Sequence, residues 1–283
     1  MTPSSKIHTC GVIRFCYPAS HGYRVEHADL AATRAHLYRQ SYLEQRLAYL
    51  ADVALASLRA QTDQDFGLTI LVGDHLPSWA LERLLDITAR DENIMVLALP
   101  EGLKNKVATR RAFDHMRPNV DGPRLQFRHD DDDAVFTGFI ATIKEMAEQN
   151  LDMLEAHDTI TLDFPCGHKM MPLPDCVLAK YIKLGGFGVA IATLSRPQST
   201  FSIFDIYHAQ LVHQLPVVRN MRPRSFIRMQ HFLNDSFNPL YRPERTMPLA
   251  DPSKLTRLCR AMGLDPIKIR ALGRYSAGTR PSL

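Results

Sequence analysis

Leu125-Gln126-Phe127-Arg128-His129-Asp130-Asp131-Asp132-Asp133 is the stretch on which the reading of this chain turns. An apolar-alternating segment leads into four successive carboxylates, and a helical pattern begins near Ala134. Four carboxylates at a strand exit repel one another and raise each other's pKa. A hard divalent cation with oxygen ligands, Mg²⁺ or Mn²⁺, relieves that repulsion. A solvated acidic turn that caps the following helix relieves it too, because Asp is favourable at a helix N-terminus. The run by itself leaves both readings open.

Upstream, the pattern alternates. Cys10 to Cys16 reads as a first strand that closes at Pro18, followed by a polar, His-rich segment without periodicity to about Gln40. Leu43, Leu47, Leu50, Ala54 and Leu58 recur at helical spacing. Leu68 to Gly73 is a short β-branched run with Asp74 at its end, and Pro77 opens a helix whose buried side is Trp79, Leu81, Leu84, Leu85 and Ile87. Ile94 to Leu99 is a third strand, Lys104 to Met116 a third helix, and Arg124 to Phe127 the strand that delivers the aspartates. Val135, Phe136, Phe139, Ile140, Ile143 and Met146 then make an apolar helical stripe. Strands alternating with helices at this spacing predict an α/β fold with a mostly parallel sheet built from crossover units. Such sheets bind ligands outside the carboxyl ends of their strands, where Asp74 and the aspartate run both fall.

Beyond residue 150 the pattern changes. Thr159 to Phe164 and Val177 to Leu184 read as strands flanking a loop from Pro165 to Pro174, and Gly185-Gly186 as a hairpin turn into Phe187 to Leu194. A helix is expected over Ile203 to Gln214, and an irregular, basic segment over residues 241–283. The division is therefore a first half to residue 150, a second half over 151–240, and a tail, all within a single domain.

The net charge is +4, but basic residues crowd from Arg219 onward. Such a tail suits phosphates, acidic glycans or an anionic membrane surface, and an ordinary solvated surface equally. Five cysteines without paired spacing argue against a disulfide framework, and Cys166, His168 and Cys176 lack the Cys-x-x-Cys partner of a zinc site. No signal-peptide pattern and no membrane-length apolar run are present, which predicts a cytoplasmic protein, peripheral at most at the inner face of a membrane.

The order of parts resembles a GT-A type glycosyltransferase, and within that group the rhamnosyltransferase-like proteins of bacteria. The similar stretches are Arg14-Phe15, Ser57 to Phe66, Leu71 to Pro77, Arg128 to Ala134, and Phe226 to His231 with Asn234, together spanning residues 10–236. The resemblance implies a nucleotide-diphosphate sugar donor across the first half of the sheet and a glycan or other hydroxyl acceptor in the second. Asp74 matches the acidic position that receives the donor's base. Ala108-Thr109-Arg110-Arg111 resembles an Ala-Arg-Asn segment of related transferases, with Arg110 toward base or diphosphate and Arg111 in place of the Asn. Asp130 and Asp132 match an Asp-x-Asp pair for Mn²⁺ or Mg²⁺, with Asp130 or Asp131 shared between metal and ribose. His231 matches a late His of the metal or diphosphate site, and Arg14 is a further donor-binding candidate.

Sugar transfer leaves a nucleoside diphosphate whose developing charge needs a cation, supplied by a metal or an arginine. An inverting reaction also needs a general base on the acceptor hydroxyl. The Glu-Asp pair usual in the family is not visible, and Asp205 with His208, one helical turn apart, or Asp163 are the alternatives. A nucleotidyltransferase would carry a glycine-rich loop after the first strand, where Pro18 to Arg24 has only Gly22. An inactive scaffold of the same fold is the non-enzymatic reading. The basic tail lacks the interleaved aromatics of a stacking platform, so nucleic acid is not an expected partner.

Overall fold

The computed structural model describes residues 7–21, 28–116, 121–234 and 246–276. Its first half follows the alternation in the sequence. Strands β1 (His8–Arg14), β2 (Gly67–Gly73), β3 (Ile94–Leu99) and β4 (Arg124–His129) are all parallel, with β1 between β2 and β4 and β3 at the edge. Parallel neighbours need a crossover, and each is helical. The first crossover holds α1 (Leu30–Leu37), α2 (Gln40–Tyr49), a π-helical turn (Leu50–Ala54) and α3 (Leu55–Arg59). The stripe Leu43, Leu47, Leu50, Ala54 and Leu58 is buried through that whole length. The next two are α4 (Ser78–Thr88) and α5 (Asn105–His115). Helix α4 buries Ala80, Leu84 and Thr88, while Trp79 and Leu85 are exposed, so its inward face is rotated from the expected one.

The seven-stranded sheet runs β10-β6-β9-β4-β1-β2-β3. Its second half is made of β6 (Thr159–Asp163), β9 (Ile191–Ser195) and β10 (Val217–Arg219), with β9 antiparallel to both β4 and β6. Strands from both halves of the sequence thus share one sheet and one core. A four-stranded sheet, β5-β11-β7-β8, packs beside it. It is formed by β5 (Asp133–Val135), β7 (Cys166–Pro172), β8 (Val177–Lys183) and β11 (Phe226–Met229).

Several expectations change here. The residues after Asp133 form β5 against β11, and helix α6 (Phe139–Glu148), followed by the short α7 (Met153–Ala156), starts only after that strand has turned. The expected loop from Pro165 is largely β7, because pairing with β8 satisfies its backbone. Residues 187–194 do not pair with β8 in a hairpin: Ile191–Ser195 inserts between β4 and β6 instead. Of the helix expected over Ile203 to Gln214, only α8 (His208–Gln214) forms.

The C-terminal segment is ordered where it is described, with helices over Pro252–Ala261 and Pro266–Ala271 and a 3₁₀ turn over Leu272–Ser276. Leu255, Leu258, Cys259, Met262, Ile269 and Leu272 join the main core. Residues 241–245 and 277–283 of the expected tail lie outside the described residues, as do residues 22–27 of the His-rich segment. Among the described residues no helix is long and apolar enough to cross a membrane.

Candidate active site

Asp130 to Asp132 form the link between the two sheets, from the end of β4 to the start of β5. They do not cap a helix, since α6 has Gly138 at its N-cap and no side-chain cap bond. Asp131, Asp132 and Asp133 are buried. A cavity of about 360 Å³ opens against them, walled by Arg14, Arg46, Arg128, Arg228 and His208 among others. It lies where the carboxyl ends of β1 and β4 meet the small sheet, the place an open α/β sheet offers a ligand.

The carboxylates are held apart by cations of the chain itself. Arg46, projecting from α2, donates Nε to Asp131 Oδ2 at 2.9 Å and Nη1 to Asp132 Oδ2 at 3.0 Å, and its Nη2 pairs with Asp131 Oδ1. Asp132 Oδ2 also accepts Asn234 Nδ2 at 2.8 Å and His231 Nε2 at 2.9 Å. His231 Nδ1 accepts the Leu233 amide at 3.2 Å, which leaves the ring proton on Nε2, aimed at Asp132. Burial alone would raise the Asp132 pKa, but the Arg46 charge and the His231 bond hold it well below the usual carboxylate range. Asp130 follows the same logic: burial raises it, and the charges of Arg128 and Arg228 bring it below normal. Asp133 goes the other way, pushed well up by burial and by Asp132. Its Oδ1 accepts the Met229 amide at 3.1 Å, and its Oδ2 has no hydrogen-bond partner among the described residues. Arg228, across from Asp133 in the β5–β11 register, stacks on Phe187 with its charge facing the aspartates.

On the opposite wall His208 opens α8. Its Nδ1 lies 2.8 Å from the Gly186 carbonyl. A carbonyl only accepts, so Nδ1 carries the proton and Nε2 keeps its lone pair. Burial, then the charge of Arg128, depresses the ring's pKa below the ordinary value. Asp163, at the end of β6, accepts the Gly186 amide at 3.1 Å and Arg219 Nε at 3.4 Å, so the same turn is tied from both sides. Asp205 precedes α8 and is turned away from the cavity, accepting Arg110 Nη2 at 2.5 Å and the Ser202 amide at 2.9 Å. Two expected site residues, Asp205 and Arg110, are thus each other's partner. Asp74 stands outside the cavity wall, where its Oδ1 meets His75 Nδ1 at 2.9 Å and the Glu101 amide at 3.2 Å.

A family model described as "Putative rhamnosyl transferase" matches residues 8–242. The chain belongs to this family. Its α/β fold with a mostly parallel sheet is the class expected from the sequence, and its family is one of glycosyltransferases. A comparison with curated protein sequences finds no match. Solved structures that are similar include Staphylococcus aureus TarS (residues 1–349), at 14% identity and a TM-score of 0.30. That likeness covers 58% of this chain and only 35% of the TarS chain. Another is a "putative nucleotide-diphospho-sugar transferase" from Desulfovibrio desulfuricans G20, at 13% identity, TM-score 0.31, with 76% of this chain and 80% of that one covered.

The cavity of this rhamnosyl transferase family member brings together Arg14, Asp130, Asp131, Asp132 and His208, with His231 directly behind Asp132. Arg46, Arg128, Arg228 and Asn234 join them without having been singled out as site residues in the sequence. As arranged, the donor set of Asp130, Asp132 and His231 does not fit a divalent ion. Arg46 occupies the approach to Asp131 and Asp132, and His231 presents a proton rather than a lone pair. Among the described residues, the group whose ligand atoms lie within 4.8 Å of one another is instead Asp74, His75 and Glu101, outside the cavity wall.

Proposed function

We propose that the chain transfers a sugar, rhamnose by its family, from a nucleotide-diphosphate donor to a hydroxyl of a glycan acceptor. The observation that carries this reading is the cavity in which Arg14, Arg128 and Arg228 converge at the carboxyl ends of the strands, facing His208. Loss of a nucleoside diphosphate concentrates negative charge on the leaving group, and guanidinium groups held in place stabilise it without reorganising. The first half of the chain then supplies donor contacts from Arg14 and Arg128, and the second half supplies His208.

Direct displacement requires the acceptor hydroxyl to lose its proton as the new bond forms. His208 suits that step: its Nδ1–H is committed to Gly186, and its depressed pKa keeps the ring neutral at pH 7. Asp205 is left to hold Arg110 rather than to take a proton. No step is assigned to Mn²⁺ or Mg²⁺, because Arg46 engages the carboxylates that would hold the ion.

The test is release of nucleoside diphosphate from dTDP-, UDP- and GDP-linked sugars, with rhamnosides and glucosides as acceptors. One donor base should support transfer, and His208→Gln should lower kcat by about 10²- to 10⁴-fold with donor affinity retained. Failure of every donor to bind or react would reject the reading. Unchanged kcat in His208→Gln would remove the histidine from it.

A further inference from the structure

Arg46 is the group in this site that the functional reading leaves unexplained. It stands on the inward side of α2, four residues from buried Tyr42 and buried Leu50, and its side chain is 11% exposed. A charge taken that far from water destabilises the fold unless it is paired in good geometry. Here the pairing is complete: a two-pronged contact with Asp131 and a third bond to Asp132, whose side chains are 3% and 6% exposed. The elements around it fix that geometry. The π-helical turn follows directly after α2, and Tyr49, the last residue of α2, packs its ring against His231 at 4.6 Å. Asn234 and His231 then close the remaining side of Asp132. A divalent ion between Asp131 and Asp132 would have to expel this guanidinium, whose Nη1 also lies 3.1 Å from His231 Nε2.

We propose that Arg46 is a built-in counter-ion that takes the place of a divalent metal, so that this chain binds a nucleoside diphosphate without one. The inference rests on the donor assignment above. With the charge of Asp131 and Asp132 offset in part by Arg46, the cavity wall keeps Arg14 and Arg228 for a diphosphate, beside Arg128, whose Nη2 lies 3.3 Å from Asp130 Oδ1. Carboxylates that would otherwise repel phosphate become the anchor of a fixed cation.

Two measurements on the full chain test this separately from the functional reading. In the first, Mn²⁺ alone is titrated into the protein, and the free-ion electron paramagnetic resonance signal is followed without nucleotide. The wild type should leave that signal unchanged at micromolar Mn²⁺, whereas Arg46→Met, which uncovers two carboxylates, should bind the ion. Binding of Mn²⁺ by the wild type at Asp131 and Asp132, shown by its loss in Asp132→Asn, would overturn the proposal. In the second, the affinity for dTDP, UDP and GDP is measured by calorimetry in EDTA and in Mn²⁺. The preferred diphosphate should bind with a Kd that changes by less than about twofold, and a gain of about tenfold or more with Mn²⁺ would overturn it. Arg46→Lys keeps the charge if Arg46→Met fails to fold, and should remain indifferent to Mn²⁺. Absence of nucleotide binding in both conditions would count against the donor assignment, while the Mn²⁺ titration still decides the role of Arg46.

Discussion

Gly186 is the residue through which His208 is aimed. Its φ of +66° lies in the left-handed region, where a Cβ is unfavourable. An added Cβ would also stand 2.8 Å from Val212 Cγ2 and 3.3 Å from the His208 carbonyl oxygen. Gly186→Ala should therefore cost about 1–3 kcal/mol in backbone strain and displace the carbonyl that holds Nδ1. A histidine base works when neutral, so activity is full above its pKa and lost as pH falls through it. In the wild type that limb lies below 6.5, because the ring's pKa is depressed by burial. In Gly186→Ala a loosened, better-solvated ring should move the limb up toward 6.5, as a pH profile of kcat/KM reads directly. An unmoved limb would separate the turn from the base. At this scale Arg14, Asp130, Asp132 and His208, each named from the sequence, line one cavity. Arg46 was not legible there, because it lies outside every motif. Its signal was an arginine on the face shared by Tyr42, Leu43, Tyr49 and Leu50, with the nearby Glu44 exposed, and a charge on a buried face needs a partner.

Among the elements, the first four strands and the long first helix follow from periodicity, because local pattern and burial agree there. Pairing over long sequence distance does not announce itself: β9 inserts between β4 and β6, and nothing in Ile191 to Ser195 names those partners. The C-terminal helices are different, since their signals were present beneath the basic composition. Asp251-Pro252 and Asp265-Pro266 are both Asp N-caps followed by Pro, and both Asp side chains accept amides of the first turn. Leu255, Leu258, Cys259 and Met262 then recur on one face. Many of the nearby basic groups have structural partners: Arg222 stacks on Phe136, Arg274 on Tyr275, and Lys268 Nζ meets Asp52 at 3.0 Å. Leu258→Ala should accordingly lower stability by about 2–5 kcal/mol, the range for a fully buried leucine, in urea unfolding followed by circular dichroism. A change below about 0.5 kcal/mol, typical of surface sites, would mean that the segment is the loose tail its composition suggests.

The whole molecule joins two sheets through the aspartate link, and its stability should respond to pH through groups far from that link. His168 on β7 is buried, its ring set edge-on to Tyr181 at 5.4 Å, and its Nδ1 has no hydrogen-bond partner among the described residues. Burial, with the nearby charges of Lys254 and Arg224, brings its pKa down to about 4. A histidine depressed on folding binds its proton more readily in the unfolded chain. Its contribution is therefore fully present above about 6.5 and lost as pH falls toward about 4, by at most about 3 kcal/mol. His129, depressed to about 4 by burial, acts in the same direction, while Asp163, raised by burial, acts in the opposite one. Comparison with His168→Leu removes those shared contributions. Between pH 7 and 4.5 the wild type should lose stability in urea more steeply than the variant. Parallel curves would show that the small sheet opens to admit the proton without unfolding, and that its packing on the large sheet is looser than the burial of His168 implies.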